Sequence, residues 1–439
     1  MLSALAIYAL FAWGCVEGLR RPWVGLVVFY AFVMLEPDWN WRWSINTTFP
    51  YQKYITAFLF LGMLLSGLRS SPVKGTTRYA LLSLAGFLAI AYLSAFQSVN
   101  SEYSFAYMSV IWKIALMVVM TVLLIDTPRK LWILMWVVVV CQGYNAYQIN
   151  LQYFQDGFSR YSINGWGNKG DNNVYSIFTV PVMGIAAALT AYGRNKWQLL
   201  VAGGIFVMQL HVLMLLESRG TMIGGIVLAV LFAIFVPKKP KVWGMLATAT
   251  LCGLILAGPS VISEFSSAFE SEDRRDSSAA SRFQLWSAGA VITRDYALLG
   301  AGPNAGRFLV PQYVDSEGRD QKALHNLLFE ISTGCGVPAT LLYLAFFGFV
   351  FASCFLLLTR EGHHLPAWAA ASCLAVVCGV PGYWGASMFS SGALLESSYL
   401  LIAIGGATLQ IHRRQSKSAQ PNQSPIKDSE FVTKLKDVA

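Results

Sequence analysis

The sequence predicts an all-α polytopic membrane protein. Of its 439 residues, 55% are hydrophobic and only 13% are charged, which is about half the charged fraction of a soluble domain. Apolar runs close to the ~20 residues needed to cross a bilayer recur from one end of the chain to the other. These runs lack the alternation of membrane β-strands. Their number also excludes a soluble enzyme and a single-span receptor.

We expect about 12 transmembrane helices, or about 13 if the short segment 23–35 also crosses the bilayer. The first region, 1–199, is an N-terminal transmembrane region. The second region, 200–411, includes a large polar loop, 263–326, between helices that end near 261 and begin near 337. A polar, disordered cytoplasmic tail follows at 412–439. The predicted helices cover 3–19, 23–35, 54–68, 79–96, 106–125, 131–149, 174–192, 197–216, 221–236, 242–261, 337–358, 366–383 and 392–411.

Lysine and arginine are concentrated in alternate loops, which the positive-inside rule assigns to the cytoplasm. This pattern explains much of the net charge of +9 and makes a nucleic-acid partner unnecessary. The basic residues are Arg20, Arg21, Arg69, Lys74, Arg78, Arg129, Lys130, Arg194, Lys196, Lys238, Lys239, Lys241, Arg360, Arg413, Arg414 and Lys417. The polar stretches that contain the candidate motifs then fall on the other face. They include the long polar loop 263–326, and long insertions of this kind often carry function. The sequence contains no nucleotide-binding motif and no pattern that indicates a metal or a cofactor.

Arg219 lies between two helices that are otherwise nearly free of charge. A charge at membrane depth is costly unless it is paired, so Arg219 is a candidate functional residue. The alternative is that Glu217 neutralises it, or that it anchors a helix end at the interface. Ser218 and Gly220 flank it, and the free N–H groups at the start of the next helix favour an anion.

The long loop contains an amphipathic run over 281–296 that includes Arg282. An interfacial helix lying on lipid headgroups is the simpler interpretation of this run. A glycine-rich turn follows at 300–307, and it either brings backbone close to a ligand or is a plain loop. The apolar residues of the run that share one helical face are Phe283, Trp286, Ala290 and Val291.

His325 stands at the end of the polar loop, where the chain enters a helix. A neutral imidazole with an ordinary pKa of ~6.5 can accept a proton from a hydroxyl near pH 7. A structural role is the alternative for a lone histidine. In an earlier loop that also contains Arg160, Asp171 either caps the next helix or helps to bind a hydroxyl-rich ligand.

Together these motifs resemble the O-antigen ligase and polymerase superfamily. The similarity rests on Ser218-Arg219-Gly220 at a helix start, on Arg282 to Trp286 followed by Leu299-Gly300-Ala301-Gly302, and on His325-Asn326 followed after nine residues by Gly336. Arg20 to Gly25 and Gly170 to Asn173 resemble a subgroup of O-glycosylation ligases. The family's usual proline before the glycine turn is absent, because this chain has Tyr296-Ala297-Leu298-Leu299 there.

The resemblance implies a GT-C-like glycosyltransferase in the bacterial inner membrane, with its active face in the periplasm among membrane lipids. Its donor would be a glycan linked to undecaprenyl pyrophosphate, and its acceptor the lipid A–core of lipopolysaccharide. His325 would deprotonate the acceptor hydroxyl, and Arg219 would stabilise the leaving pyrophosphate without a metal or a cofactor. Direct displacement would invert the anomeric configuration. The further residues expected to bind substrate are Arg282, Arg160, Arg307, Ser218, Asn326 and Asp171.

Two other activities use the same donor and chemistry, namely protein O-glycosylation and O-antigen polymerisation. The sequence does not separate them from the ligase, because the acceptor leaves no recognisable motif. A transporter or flippase is a more distant alternative. It should carry charges in mid-membrane on discontinuous helices in matching halves, whereas this chain has no internal repeat and its charged candidates cluster at one face.

Overall fold

The computed structural model describes residues 2–67, 72–238, 277–314 and 322–419, together with a few positions between 240 and 251. Within these ranges every regular element is helical. In chain order the helices are α1 Leu2–Arg20, α2 Pro22–Leu35, α3 Pro37–Asn40, α4 Tyr51–Leu65, α5 Thr76–Phe96, α6 Ser101–Leu124, α7 Pro128–Asp156, α8 Tyr161–Asn164, α9 Asn172–Tyr192, α10 Lys196–Leu215, α11 Arg219–Phe235, α12 Ser277–Asp295, α13 Leu327–Glu361, α14 Ala367–Ser387 and α15 Glu396–Ala419.

Seven of the described helices are long and apolar enough to cross a membrane: α1, α5, α6, α9, α10, α13 and α14. Two shorter apolar helices, α2 and α11, accompany them. The prediction of a multi-pass helical membrane protein is therefore confirmed. The total of 12 or 13 spans stays a prediction, and the helix expected over 242–261 lies largely outside the described residues.

Two predicted boundaries differ from the structure. The tail expected from 412 onward begins as helix, because α15 continues to Ala419, while 420–439 lie outside the described residues. Helix α13 starts at Leu327 rather than near 337, and its backbone leaves helical geometry at Gly336 (φ 80°). The ten residues before this kink include Glu330, Ser332 and Thr333, whose polarity hid the first turns from a hydropathy criterion.

Helices α9 and α14 form the centre of the molecule, and most of their residues are buried. Close approach of the backbones requires glycine. A Cβ on Gly224 of α11 would lie 2.4 Å from the carbonyl oxygen of Gly382 in α14. Small residues at such crossings are the usual means of packing helices in membranes, where dispersion contacts replace the hydrophobic effect.

The loops fall into two groups at opposite ends of the helices. At the first end, which we call the site face, Val99 N–H donates to Ala301 O (2.9 Å) and Asn172 Nδ2 donates to Leu216 O (2.8 Å). The described loops of the site face are 36–50, 97–100, 157–171, 216–218, 296–314, 322–326 and 388–395. The motif-bearing stretches of the sequence therefore share one end of the molecule.

The opposite end carries the basic loops. Here the Lys130 ammonium lies over the Trp23 ring, 5.8 Å from its centre, and Arg194 lies over Trp132 at 5.4 Å. His412 lies 3.7 Å from Glu361. The structure thus separates the basic loops from the motif-bearing loops, as the charge pattern predicts.

Candidate active site

A short turn after α14 brings three sequence motifs together. Gly220 packs so closely on Phe389 that a Cβ would lie 2.6 Å from the Phe389 Cβ. The ring of Trp286 lies 5.8 Å from the ring of Phe389, centre to centre. Asn326 Nδ2 donates to Met388 O (3.1 Å). The charged candidates adjoining these anchors in sequence are Arg219, Arg282 and His325.

Hydrogen bonds join the Ser218 turn to the start of α9. Ser218 Oγ donates to Asn173 Oδ1 (2.8 Å) and lies 2.8 Å from Thr221 Oγ1. Asp171 Oδ1 accepts from Val174 N–H (2.7 Å), so Asp171 caps α9 as one of its two interpretations predicted. These bonds fix the backbone on both sides of Arg219, which is half-buried at the first residue of α11.

His325 is half-buried in the loop before α13 and has a left-handed backbone, with φ of 47°. Burial lowers the pKa of its imidazole, and the positive charge of Arg282 lowers it further. The carboxylate of Asp171 opposes this shift, while Arg307 and Lys322 add to it. His325 is therefore neutral at pH 7 and able to accept a proton. Four charged side chains, those of Arg282, Asp171, Arg307 and Lys322, therefore lie close enough to the imidazole to affect its pKa.

Asn326 determines where α13 begins. Its Oδ1 accepts from Leu328 N–H (3.0 Å) and Phe329 N–H (3.2 Å), which is a helix N-cap. Since its amide also reaches Met388, its side chain is fully engaged in positioning its neighbour His325.

Backbone strain is concentrated at the site face. Among the described residues, the non-glycine residues with positive φ are Glu36, Glu217, Asn304 and His325. Each lies in a site-face loop. Such conformations cost of order 1 kcal/mol apiece and persist where the surrounding structure enforces them, as at binding and catalytic sites.

The glycine-rich turn docks on α13, so its close backbone approach is to the protein itself. Ala301 N–H donates to Thr333 O (2.8 Å) and Gly302 N–H donates to Gly334 O (2.9 Å). Gly300 has φ of 71°, and a Cβ there would lie 2.3 Å from the backbone of Gly334. Gly300 and Gly302 of the turn and Gly334 of α13 therefore take part in the same close backbone contact.

Helix α12 confirms the amphipathic run but buries a different face from the one predicted. Leu285, Ala288 and Ile292 face the protein and form a small core. Phe283, on the predicted face, is 57% exposed, which is compatible with an interfacial helix that turns this side to lipid.

Arg307 adjoins a small cavity that sequence reasoning missed. Its Nη1 donates to the hydroxyl of Tyr103 (3.1 Å), and it lines a cavity of about 10 Å³ with Glu330 and Ser391, enough for one water molecule. Glu330 Oε2 is buried and has no hydrogen-bond partner among the described residues. Glu330 stands five positions after His325. A carboxylate among apolar residues was the sequence signal that could have identified it.

Arg160 has a different environment. Its Nε pairs with Asp156 Oδ2 (2.7 Å), and its side chain is 59% exposed. It lies in a site-face loop, and its polar contacts are with the end of α7, since its backbone N–H also donates to Gln152 Oε1 (3.1 Å).

A buried charge cluster that the sequence did not reveal supports the loop carrying Asp171. Lys169 Nζ lies 2.8 Å from Glu396 Oε2 and 3.9 Å from Glu36 Oε1. Asn168 N–H donates to Glu36 Oε2 (2.7 Å). Burial raises the pKa of Glu36 to about 7, although Lys169 opposes the shift. Burial acts to lower the pKa of Lys169, but the two carboxylates raise it above its ordinary value.

Metal ligands do not gather at this site. Within the part of the chain that the structure describes, no three His, Cys, Asp or Glu side chains lie where they could hold a metal ion together.

Residues 204–344 match a family model described as O-antigen ligase. The predicted residues inside this stretch are Ser218, Arg219, Arg282, Arg307, His325 and Asn326. The match confirms the resemblance to the O-antigen ligase superfamily. It also supports a ligase- or polymerase-type role on lipid-linked glycans in a membrane. Comparison with the curated proteins finds no match.

Proposed function

We propose that this chain is an O-antigen ligase. It transfers a glycan from undecaprenyl pyrophosphate to a sugar hydroxyl of lipid A–core at the periplasmic face of the bacterial inner membrane, with a GT-C-like fold. The observation that carries the proposal is the family match over 204–344, because it spans the loop whose arginines and histidine meet at one end of the helices.

In the proposed mechanism His325 acts as general base. Its neutral imidazole takes the proton of the acceptor hydroxyl, and the oxygen attacks the anomeric carbon from the face opposite the leaving group. The bond from that carbon to the pyrophosphate oxygen breaks as the new glycosidic bond forms. Polyprenyl pyrophosphate leaves, and the sugar configuration inverts.

In this mechanism arginine side chains stabilise the charge that develops on the leaving pyrophosphate. A pyrophosphate is already a good leaving group, so it needs compensation of its developing charge more than it needs a proton. Arg219 and Arg282, with Arg307 nearby, supply guanidinium groups that bind phosphate oxygens two at a time. The N–H groups at the start of α11, beside Arg219, add a favourable dipole.

The test is transfer in vitro with purified protein, undecaprenyl-pyrophosphate-linked glycan and lipid A–core, with His325→Ala alongside. We expect glycosylated lipid A–core with the natural chain and none with the variant. Glycan lengthened on its carrier, or moved onto a protein, would instead identify the polymerase or the O-glycosylation ligase. Failure to release polyprenyl pyrophosphate with any acceptor would overturn the enzyme and favour a transporter.

A further inference from the structure

A groove of about 780 Å³ opens on the side of the protein between α2, α4, α6 and α15. Its walls are largely apolar and include Phe29, Val33, Ile114 and Met117. Along α4 its rim is exposed, with Leu64 50% accessible. Its volume lies in the range of ligand pockets, and its exposed rim at Phe60, Leu61 and Leu64 is apolar.

Polar groups line one end of the groove. Lys53 lies in the first turn of α4, which begins at the site face. Tyr30 donates from its hydroxyl to Met117 O (3.3 Å), and Lys113 is one helical turn, about 6 Å, above Met117. The end of α2 at Glu36 is about 9 Å above Tyr30 by the same rise. Lys113 therefore lies about 3 Å below the level of Glu36, where the loop 36–50 begins, and about 18 Å along α6 from the start of that helix at Ser101.

The two ammonium groups lack a salt-bridge partner in the part of the chain that the structure describes. Among the residues that the structure describes, neither Lys53 nor Lys113 forms a salt bridge. The carboxylate that also lines the groove, Glu396, is 2.8 Å from Lys169. Lys113 is exposed in an apolar helix, a position that is costly and marks a ligand contact by default.

The groove is separate from the arginines proposed to bind the donor. Arg219 and Arg282 stand on α11 and α12, whereas the groove is bounded by α2, α4, α6 and α15. One donor carries one pyrophosphate, and the proposed mechanism uses it at the arginines. A phosphate bound by the two lysines would therefore belong to a second lipid.

Two structural connections join the groove to the candidate active site. Glu396 binds Lys169, which is two residues before Asp171, and the charge of Asp171 acts on His325. Helix α6 also continues past the groove to Tyr103, which holds Arg307. A lipid seated in the groove would thus contact two helices, α15 and α6, that also contact the loops of the candidate active site.

We propose that the groove binds the lipid anchor of the acceptor, a phosphorylated glycolipid, with its phosphate on Lys53 and Lys113. This inference rests on the proposed function and deepens it, because it requires a lipid-borne acceptor rather than a protein. The exposed rim suits a lipid with several acyl chains, since the chains that the groove does not hold remain in the bilayer.

The test measures binding of lipid A–core to the full chain in nanodiscs, with the double variant Lys53→Gln/Lys113→Gln. We expect affinity to fall about thirtyfold, from two lysines worth about 1 kcal/mol each at a membrane surface. Phosphatase-treated lipid A–core should bind the natural chain and the variant equally. Lys196→Gln, which removes a charge at the opposite end, is the matched control and should bind like the natural chain.

A second variant, Ala57→Trp, fills the groove at an exposed wall position and should raise the acceptor KM while leaving kcat unchanged. Unaltered lipid A–core affinity in both variants would overturn the inference. A selective loss of undecaprenyl pyrophosphate binding would also overturn the inference, because it would show that the groove binds the polyprenyl chain of the donor. If no transfer occurs with any acceptor but lipid A–core binding still depends on the lysines, the proposed function fails and the lipid site stands.

Discussion

His325 carries a left-handed backbone, a half-buried ring and cationic neighbours at once. A histidine with a purely structural role is expected to form hydrogen bonds through its ring. It does not require a left-handed backbone or cationic neighbours. Its neighbour Asn326 instead supplies the structural contacts, by capping α13 and binding Met388. Because Asn326 makes the structural contacts, a chemical role is favoured for the His325 imidazole.

Replacing His325 should abolish transfer without unfolding the protein. His325→Asn is the sharper variant, because asparagine tolerates the left-handed backbone that alanine does not favour. Loss of a general base costs about 10²- to 10⁴-fold in rate, measured as turnover, with thermal unfolding in detergent as the check on folding. His364→Asn, in a loop at the opposite end, is the control. Turnover like that of the natural chain in His325→Asn would exclude the general-base role.

The charges around His325 predict opposite shifts in the pH profile. Burial, with Arg282, holds the pKa of His325 below its ordinary value, so the rate should fall only as the pH drops below ~6.5. Asp171→Asn keeps a competent helix cap but removes a charge that raises this pKa, and should move the acid limb to lower pH. Lys322→Gln should move it to higher pH. Shifts in the same direction, or none, would contradict the arrangement.

Arg219→Lys tests the guanidinium geometry. The charge is kept, but lysine cannot bind two phosphate oxygens in a fixed fork. We expect transfer to fall by about tenfold or more, measured as kcat/KM for the donor. Arg194→Lys at the opposite end should leave it unchanged. An Arg219→Lys enzyme with unaltered donor kinetics would remove Arg219 from the pyrophosphate site.

At the scale of elements, the contact between the glycine turn and α13 determines the shape of the site-face loop. Its hydrogen bonds run between backbones, so any side chain at the crossing would separate the two segments. Tyr296 O accepts from Gly300 N–H (2.9 Å), and the turn forms without the proline that the family usually has before it.

Gly300→Ala should weaken this contact. The new Cβ would meet the backbone of Gly334 at 2.3 Å, and the positive φ adds strain. We expect a loss of about 2 kcal/mol or more in unfolding free energy, read as a lower melting temperature together with reduced turnover. Gly348→Ala, where a Cβ meets nothing within 4 Å, is the matched control and should be neutral or slightly stabilising. Equal effects of the two substitutions would refute the docking role.

For the whole molecule, the cluster of Glu36, Lys169 and Glu396 links three distant parts of the chain at the site face. Because the folded-state pKa of Glu36 is about 7, above its ordinary value, the folded protein binds this proton more tightly than the unfolded chain. The resulting stability is present at acid pH and is lost as the pH rises through 7.

Thermal unfolding across pH should show this effect. Between pH 5 and pH 8 we expect Glu36 to reduce the unfolding free energy by about 2 kcal/mol. Glu36→Gln removes the titration and should flatten the profile. Glu102→Gln, at an exposed site-face position, should leave the slope as it is. A slope that Glu36→Gln does not alter would show that Glu36 is not the titrating group.

The sequence by itself determined the multi-pass helical architecture, the separation of basic loops from motif-bearing loops, and the cap at Asp171. These are local properties, because hydropathy, charge and capping act within a few turns of one helix. The tertiary structure decided which motifs meet. Phe389 contacts residues from distant motifs, and the glycine turn packs on α13. The Lys169 cluster and the groove beside Lys113 likewise join residues separated by long stretches of chain. No periodicity encodes such contacts, since they arise only when helices pack.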